Sequence, residues 1–390
     1  MNSNKKIGII GIGKLGLSFA LLAENKGYEV WGSDVRKDYI EQLKNKTFKS
    51  SEPLIEEYLQ GSTKFYPTTD NIDVILNCDL IYTFVQTSSL PSGEYDHKYI
   101  EEVIDAFEAL HYTGTELYGK QLVIGCTTNP GYVDDLSDRL EEIGVDVIYN
   151  PEFIVQGNII HGLRNSDIVL IGSNNPNDLK DITEFYYTIM DNSPNIKVMS
   201  PTAAEITKIG LNCYLTTKIS FANMIGEICN NSGIGDETDI VLSAIGSDKR
   251  IGNRYLSYGF GFGGPCLPRD NRALGAHAEK VGLEINLPYE IDKFNFQHNR
   301  YLVNKFVTEY PDKDTTFIFD YVTYKKGVDI LEDSQQLVLL LSLLSEGYNC
   351  VVIDIEPVKN KLEKPLTNTW GDRIKFLPIG SEVSGVKISL

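Results

Sequence analysis

Cys266 stands in "GFGFGGPCLPRDN", residues 259–271, among four glycines and two prolines, with Arg269 and Asp270 close behind it. A cysteine is most often a small core hydrophobe. Here Gly259, Gly261, Gly263 and Gly264 let the main chain approach a ligand, and N–H groups so placed favour a thiolate or an oxyanion. Asp270, four residues on, is spaced to act as base for a water. Cys78, Cys126, Cys213, Cys229 and Cys350 lack such a setting, with Cys126, beside Thr127 and Thr128, the nearest rival. On these residues alone, a packed thiol and a nucleophile both remain open.

A second constellation lies at the start of the chain. Gly11, Gly13 and Gly16 form G-x-G-x-x-G between a strand-like "KIGII" and a helix-like "KLGLSFALLAENKG", with Ile12 and Lys14 filling the loop. The first glycine makes the turn, the second lets a pyrophosphate approach, and the third allows close helix–strand packing. Asp34 ends the next strand, where an acid takes the adenosine ribose hydroxyls and selects NAD over NADP. Arg36 and Lys37 beside it keep NADP in view. A third group lies in "SPTAAEITKIGLNCYLTTKISFANMIGEI". Glu205, Lys208 and Asn212 fall within about 60° of one another on a helix. That stripe either lines a polar pocket or is a solvated face. Cysteine and nicotinamide together suggest one reaction type. An alcohol is oxidised to an aldehyde, trapped on sulfur as a thiohemiacetal, oxidised to a thioester and released by water as an acid. It takes two NAD per turnover.

These groups need a scaffold. The chain of 390 residues is long enough for two or three domains, and its 42% hydrophobic and 23% charged content is that of a globular protein. The net charge of −18 argues against a general nucleic-acid binder and requires a local basic cluster for any anionic substrate. The first residues lack the apolar core of a secretory signal, and no stretch approaches a membrane span. Six scattered cysteines without a CxxC pair fit a reducing, cytoplasmic setting, and no metal cluster is visible among the five histidines.

Strand and helix runs alternate through the first 200 residues, which predicts a doubly wound, parallel sheet of the Rossmann type in an α/β protein. A long helix is expected from Thr202 to about Asn231, with helices continuing to about Gly246 and resuming after Asp270. From near Pro311, "TTFIFDYVTY", "DSQQLVLLLSLLSEG" and "YNCVVIDIEP" read as strand, helix, strand. "DRIKFLPIG" is a possible further strand. The division is 1–200 for NAD, 201–300 for a central all-α region, and 301–390 for a small, shortened α/β region.

In "GIGKLG", "GCTTNPGY", "NPEFIVQG", the lysine helix, "DKRIGNRYLSYGFGFGGPCLPRDNRAL" and "YKKGVDILEDS", taken in order, the chain resembles the UDP-glucose/GDP-mannose dehydrogenase family, most closely its UDP-glucose-oxidising branch. The resemblance spans nearly the whole length and implies roles. Cys266 would be the nucleophile, Lys208 the stabiliser of oxyanions at the sugar C6 with Asn212 in support, and Asp270 the group assisting water attack on the thioester. Thr127 would hold the catalytic water of the first oxidation. Glu152 and Phe153 of "NPEF" would sit beside the substrate. Arg250 would reach the sugar from a neighbouring subunit, since the family pairs through its long helix as a homodimer. Tyr255, Leu256 and Ser257 would contact the nucleotide, Gly263 the sugar, and Lys325 the UDP. Gly11, Ile12, Gly13, Lys14, Gly16, Asp34, Thr87, Thr127 and Arg269 would form the NAD site.

Three positions depart from the family pattern. Gln156 stands where a glutamate is usual, Glu332 where an arginine is usual near the cofactor, and Asn129 where a proline is usual. The same chemistry on GDP-mannose or a UDP-N-acetylhexosamine is an alternative. So are a two-electron hydroxyacid dehydrogenase of the 6-phosphogluconate type, which needs no cysteine cage, and a cofactor-binding protein without catalysis.

Overall fold

The computed structural model describes residues 5–154, 157–175 and 179–388. The chain divides into two compact units, Met1–Lys208 and Ile209–Leu390.

The first unit is an α/β layer structure. Its elements in chain order are β1 (Ile7–Ile10), α1 (Lys14–Asn25), β2 (Val30–Ser33), α2 (Lys37–Lys44), α3 (Ile55–Gly61), β3 (Phe65–Thr68), α4 (Asn71–Asn77), β4 (Leu80–Thr83) and α5 (Lys98–Tyr112). There follow β5 (Lys120–Ile124), α6 (Tyr132–Glu141), β6 (Val145–Tyr149), α7 (Ile159–Arg164), β7 (Val169–Gly172), α8 (Leu179–Ile189), β8 (Ile196–Met199) and the first turns of α9 (Pro201–Asn231). The strands lie side by side in the order β3-β2-β1-β4-β5-β6-β7-β8. Side chains of β1 alternate: Ile7 and Ile9 enter one apolar layer with Leu17 and Leu21, and Ile10 enters the other with Val74 and Ile100. Both faces of the sheet are therefore covered, as a parallel sheet requires.

The strand order reverses at β1, which pairs in parallel with β2 on one side and β4 on the other. Ile10 lies opposite both Ser33 and Thr83, so the loops that follow these three strands leave the same edge of the sheet. A dinucleotide binds at such a switch point. The expected parallel sheet is present, with one antiparallel pairing. β7 meets β6 antiparallel, at Tyr149 opposite Gly172, and β7 and β8 are parallel to each other. Among the described residues, the six-residue α7 is the one helix assigned between β6 and β7. An antiparallel partner needs no return crossover to the other end of the sheet.

The second unit holds the rest of α9, then α10 (Thr238–Gly246), α11 (Leu267–Lys280), α12 (Leu287–Glu309), β9 (Thr316–Phe319), α13 (Gln335–Ser345), β10 (Asn349–Ile353), α14 (Glu356–Trp370), β11 (Ile374–Leu377) and β12 (Val386–Lys387). Its four strands form a parallel sheet in the order β11-β10-β9-β12. Phe317, Phe319, Leu339, Leu343 and Val352 fill the core beside Leu302 and Phe306 of α12. α11 begins at Leu267, earlier than the prolines suggested. Pro268 lies in its first turn, where no main-chain N–H is needed for the helix. No helix among the described residues is long and apolar enough to cross a membrane.

Candidate active site

The glycine loop of the first unit has the shape a pyrophosphate needs. Gly11 has φ +92°, and a side chain there would meet the main chain of Phe84 at 2.8 Å. A side chain at Gly16 would strike the carbonyl of Gly11, so α1 starts hard against the turn. Gly13 is the N-cap of α1 with no side chain capping it, and nothing lies within 4 Å of where its Cβ would be. The amide end of α1 is thus approachable at Gly13 and Lys14, and its dipole favours an anion. These residues fit a dinucleotide.

Ile12 is corrected. Its side chain is fully buried, its N–H donates to Ser33 O at 3.0 Å, and its carbonyl accepts from the Tyr39 hydroxyl at 2.7 Å. The turn itself uses the polar groups of Ile12, so it shapes the loop and contributes no donor to a ligand. Asp34 follows β2 and accepts from Arg36 Nε and Nη2, each at 2.8 Å, and from the Arg36 N–H at 3.0 Å. Burial works to raise the Asp34 carboxyl, but the guanidinium contacts outweigh it and hold the group below its ordinary range. Thr87, on the loop after β4, is buried.

The loop after β5 carries Thr127, half-buried, and Thr128, fully buried. Asn129 explains its departure from proline. Its side chain pairs with both main-chain groups of Tyr95, at 2.9 Å each, and its N–H donates to His97 Nε2 at 3.2 Å. A proline has none of these groups. His97 stacks on Tyr132 at 3.7 Å, and burial lowers its titration to about 4, so it presents the neutral ring that the contact requires.

Three residues expected at the substrate come together after β6. Lys208 Nζ donates to the carbonyl of Glu152 at 2.8 Å and lies 4.5 Å from the centre of the Phe153 ring. Burial raises the Glu152 carboxyl to about 7, against the lowering effects of Tyr186 and Lys208. Gln156 lies outside the described residues. Glu205, on the same helical stripe as Lys208, is not solvated. It is fully buried and accepts from Thr128 Oγ1 at 2.7 Å and from the N–H groups of Gly131 and Val133 at 2.7 and 3.1 Å. It caps the start of α6.

In the second unit Cys266 is exposed, and the other five cysteines of the chain are buried. Cys126, the rival, donates to Val85 O and Thr83 O, and burial pushes its thiol up to about 12. Cys266 is the N-cap of α11, where the amide end of a helix favours a thiolate. Arg269, half-buried, and Asp270, buried, occupy the first turn of the same helix. Asp270 Oδ2 accepts from Asn212 Nδ2 at 2.6 Å, so the Asn212 amide orients Asp270.

The reading of the cysteine loop as open amides is corrected at Gly259 and Gly264. Gly259 N–H donates to Asn223 Oδ1, Phe262 N–H to Asn295 Oδ1, and Gly264 N–H to Glu332 O, at 2.9–3.0 Å. A side chain at Gly261 would strike Asn295, one at Gly263 the carbonyl of Asp333, and one at Gly264 the Tyr324 ring at 2.6 Å. These glycines let the loop lie against the protein itself. His298 adds a further tie, with Nε2 2.8 Å from Gly259 O and Nδ1 2.7 Å from Glu227. Asn223, Asn295 and His298 were not singled out from sequence. Asparagines in the interior of apolar helices were the available signal, since they are poor helix formers unless the side chain is bonded.

The remaining expected contacts are spread out. Arg250 is exposed and pairs with Asp248 at 2.6 Å. Tyr255 (φ +61°) and Ser257 are exposed, but Leu256 between them is buried with Ala222 and Leu242. The expectation that Leu256 contacts substrate is therefore corrected for its side chain, which belongs to a small core. Lys325 is exposed, and so is the Glu332 side chain. Among the described residues no group of three or more His, Cys, Asp or Glu is arranged to hold a metal ion.

Sequence models of the NAD-binding domain and the central domain of the UDP-glucose/GDP-mannose dehydrogenase family match residues 5–190 and 202–297. The chain is 28% identical over 353 residues to a UDP-glucose 6-dehydrogenase of Rickettsia bellii, covering 87% of this chain and 79% of the relative. It is 30% identical over 313 residues to the UDP-glucose 6-dehydrogenase TuaD of Bacillus subtilis, covering 78% and 66%. Among solved structures, a UDP-glucose dehydrogenase from Pyrobaculum islandicum superposes with TM-score 0.84 at 26% identity, over 96% of this chain and 86% of the other. A UDP-D-ManNAc dehydrogenase from Pyrococcus horikoshii shares the fold, with TM-score 0.78 at 18% identity over 98% of each chain. With both domains matched in order, and with a glycine cradle that fits NAD, the chain belongs to the UDP-glucose/GDP-mannose dehydrogenase family and is an NAD-dependent oxidoreductase.

Proposed function

We propose that this chain oxidises UDP-glucose to UDP-glucuronate in two steps through covalent intermediates on Cys266. The observation that carries the reading is the exposed Cys266 at the N-terminus of α11, with buried Asp270 in the first turn of that helix. NAD, when bound, accepts a hydride in each oxidation. In the first, Thr127 holds the water that takes the proton of the C6 hydroxyl. The Cys266 sulfur then adds to the aldehyde carbon, and the carbonyl electron pair moves to oxygen, where Lys208 stabilises the charge. Loss of a second hydride from this thiohemiacetal leaves a thioester. Asp270, held by Asn212, takes a proton from the attacking water, and the thiolate departs from the acid. Residues 1–200 bind NAD, 201–300 carry the cysteine and the pairing helix, and 301–390 bind the nucleotide.

The stoichiometry of NADH tests this. With limiting UDP-glucose and excess NAD, two NADH per sugar are expected. One NADH per sugar would move the chain to the two-electron class. No NADH with UDP-glucose but two with GDP-mannose or a UDP-N-acetylhexosamine would keep the mechanism and change the substrate.

Arg250 acts on the sugar of a neighbouring copy, with α9 as the pairing element. Tyr214, Phe221, Met224 and Ile228 leave apolar surface exposed on one side of that helix. Light scattering behind size exclusion should read the mass of two chains. A fully active species with the mass of one chain would remove Arg250 from the site.

A further inference from the structure

Tyr186, on α8, is 2% exposed, and its hydroxyl meets two acceptors: Asn150 Oδ1 at 2.6 Å and Glu152 Oε1 at 2.7 Å. Asn150 is itself 1% exposed, and its orientation is fixed because Nδ2 donates to Leu170 O at 2.8 Å. Its oxygen therefore faces Tyr186. A phenolic hydroxyl carries one proton, and neither an amide oxygen nor a carboxylate brings another. Two short contacts on one hydroxyl need two protons. Both are made when Tyr186 donates to Asn150 and a protonated Glu152 donates to the Tyr186 oxygen.

We propose that Tyr186, oriented by Asn150, is a positioning residue that holds Glu152 as the neutral acid. The inference rests on the reading that Glu152 stands beside the substrate, and gives that position a proton donor in place of a fixed negative charge. The surroundings support it. Burial raises the Glu152 carboxyl, and Tyr186 lowers it only as a donor to the carboxylate, the arrangement that this inference replaces with donation from Glu152. Within the first unit, the titratable groups acting on it are Tyr186 from α8, Tyr82 from β4 and Lys208 from α9. Lys208 bonds the main-chain oxygen of Glu152 and does not clamp the carboxyl. Tyr82 is fully buried, and a charge on Glu152 disfavours its ionisation further. Asn150 and Tyr186 are 36 residues apart and were not linked by any motif.

Infrared difference spectra of the full-length protein between about pH 6 and pH 8 read the proton directly, as a carboxylic C=O band lost on titration. Glu205, also raised to about 7 by burial, contributes a second band, so the Glu152 band is assigned by its absence in Glu152→Gln. Tyr186→Phe removes the oxygen that accepts the Glu152 proton, and the midpoint is expected to fall by about one pH unit. Asn150→Leu frees the Tyr186 proton for Glu152, which stabilises the carboxylate, and the midpoint should again fall. A midpoint that rises or stays put in Tyr186→Phe would overturn the proposal, because Tyr186 would then be a simple donor to a carboxylate. An unchanged midpoint in folded Asn150→Leu would do the same. Tyr186→Phe deletes one hydroxyl, so the decision does not depend on the second variant folding. The pH profile of kcat/KM should move with the band. Absence of NADH formation from any nucleotide sugar would defeat the functional reading and leave the infrared result standing. A failed infrared result with full activity would defeat only this inference.

Discussion

Cys266→Ser should cut steady-state NADH formation from a nucleotide sugar by at least about 10³-fold, leaving at most the NADH of a single first oxidation, with NAD binding unchanged. The thiol is exposed at the amide end of α11, a setting that favours the sulfur anion. A serine hydroxyl in the same place is far harder to ionise than a thiol. The first oxidation needs no sulfur, so loss of turnover would show that the aldehyde cannot proceed without it. The assay is NADH absorbance with the product acid followed by mass spectrometry. A serine variant that turns over at wild-type rate would make Cys266 a surface thiol. The fivefold excess of buried cysteines makes the experiment specific, because Cys78, Cys126, Cys213, Cys229 and Cys350 are not open to substrate.

Lys208→Met is the second large effect. It should lower kcat by about 10²–10³-fold, with a much smaller change in KM for NAD. The ammonium is held at one end by the carbonyl of Glu152 and lies over the Phe153 ring, so little reorganisation is needed when negative charge develops on the sugar oxygen. Methionine keeps the length of the side chain and removes the charge. A change confined to KM for the nucleotide sugar would mean that Lys208 binds substrate and transition state alike. The two variants differ in kind: the first stops covalent chemistry, and the second leaves it slow.

The strand–turn–helix at Gly11 and the cysteine loop were legible in sequence because each depends on glycines at fixed local spacing. Local spacing also gave the long helix and the β9–α13–β10 run. What was not legible depends on contacts between distant residues. The sequence around β7 has the same apolar run as its parallel neighbours, and only its pairing shows it antiparallel to β6. Glycine content suggested open amides at the cysteine loop, but Asn223 and Asn295 reach them from helices far along the chain. Ile12 and Leu256 sit in loops of functional composition, yet each turns its side chain into a core. Glu205 shares a helical stripe with Lys208, and its three donors come from the loop after β5 and the start of α6. A short, irregular sequence can also hide a strand, as with β3 and the two-residue β12.

The packing of the cysteine loop has a bearing on substrate choice. Gly261, Gly263 and Gly264 each face a different part of the protein at a distance that admits no side chain. No mutation at these positions can add a methyl group to exclude one sugar, or a donor to welcome another, without displacing Asn295, Asp333 or Tyr324. On the proposed function, the loop around the Cys266 sulfur therefore presents the same shape to every hexose. On that proposed function, discrimination between one nucleotide sugar and its relatives falls to exposed residues such as Tyr255, Ser257, Lys325 and Glu332.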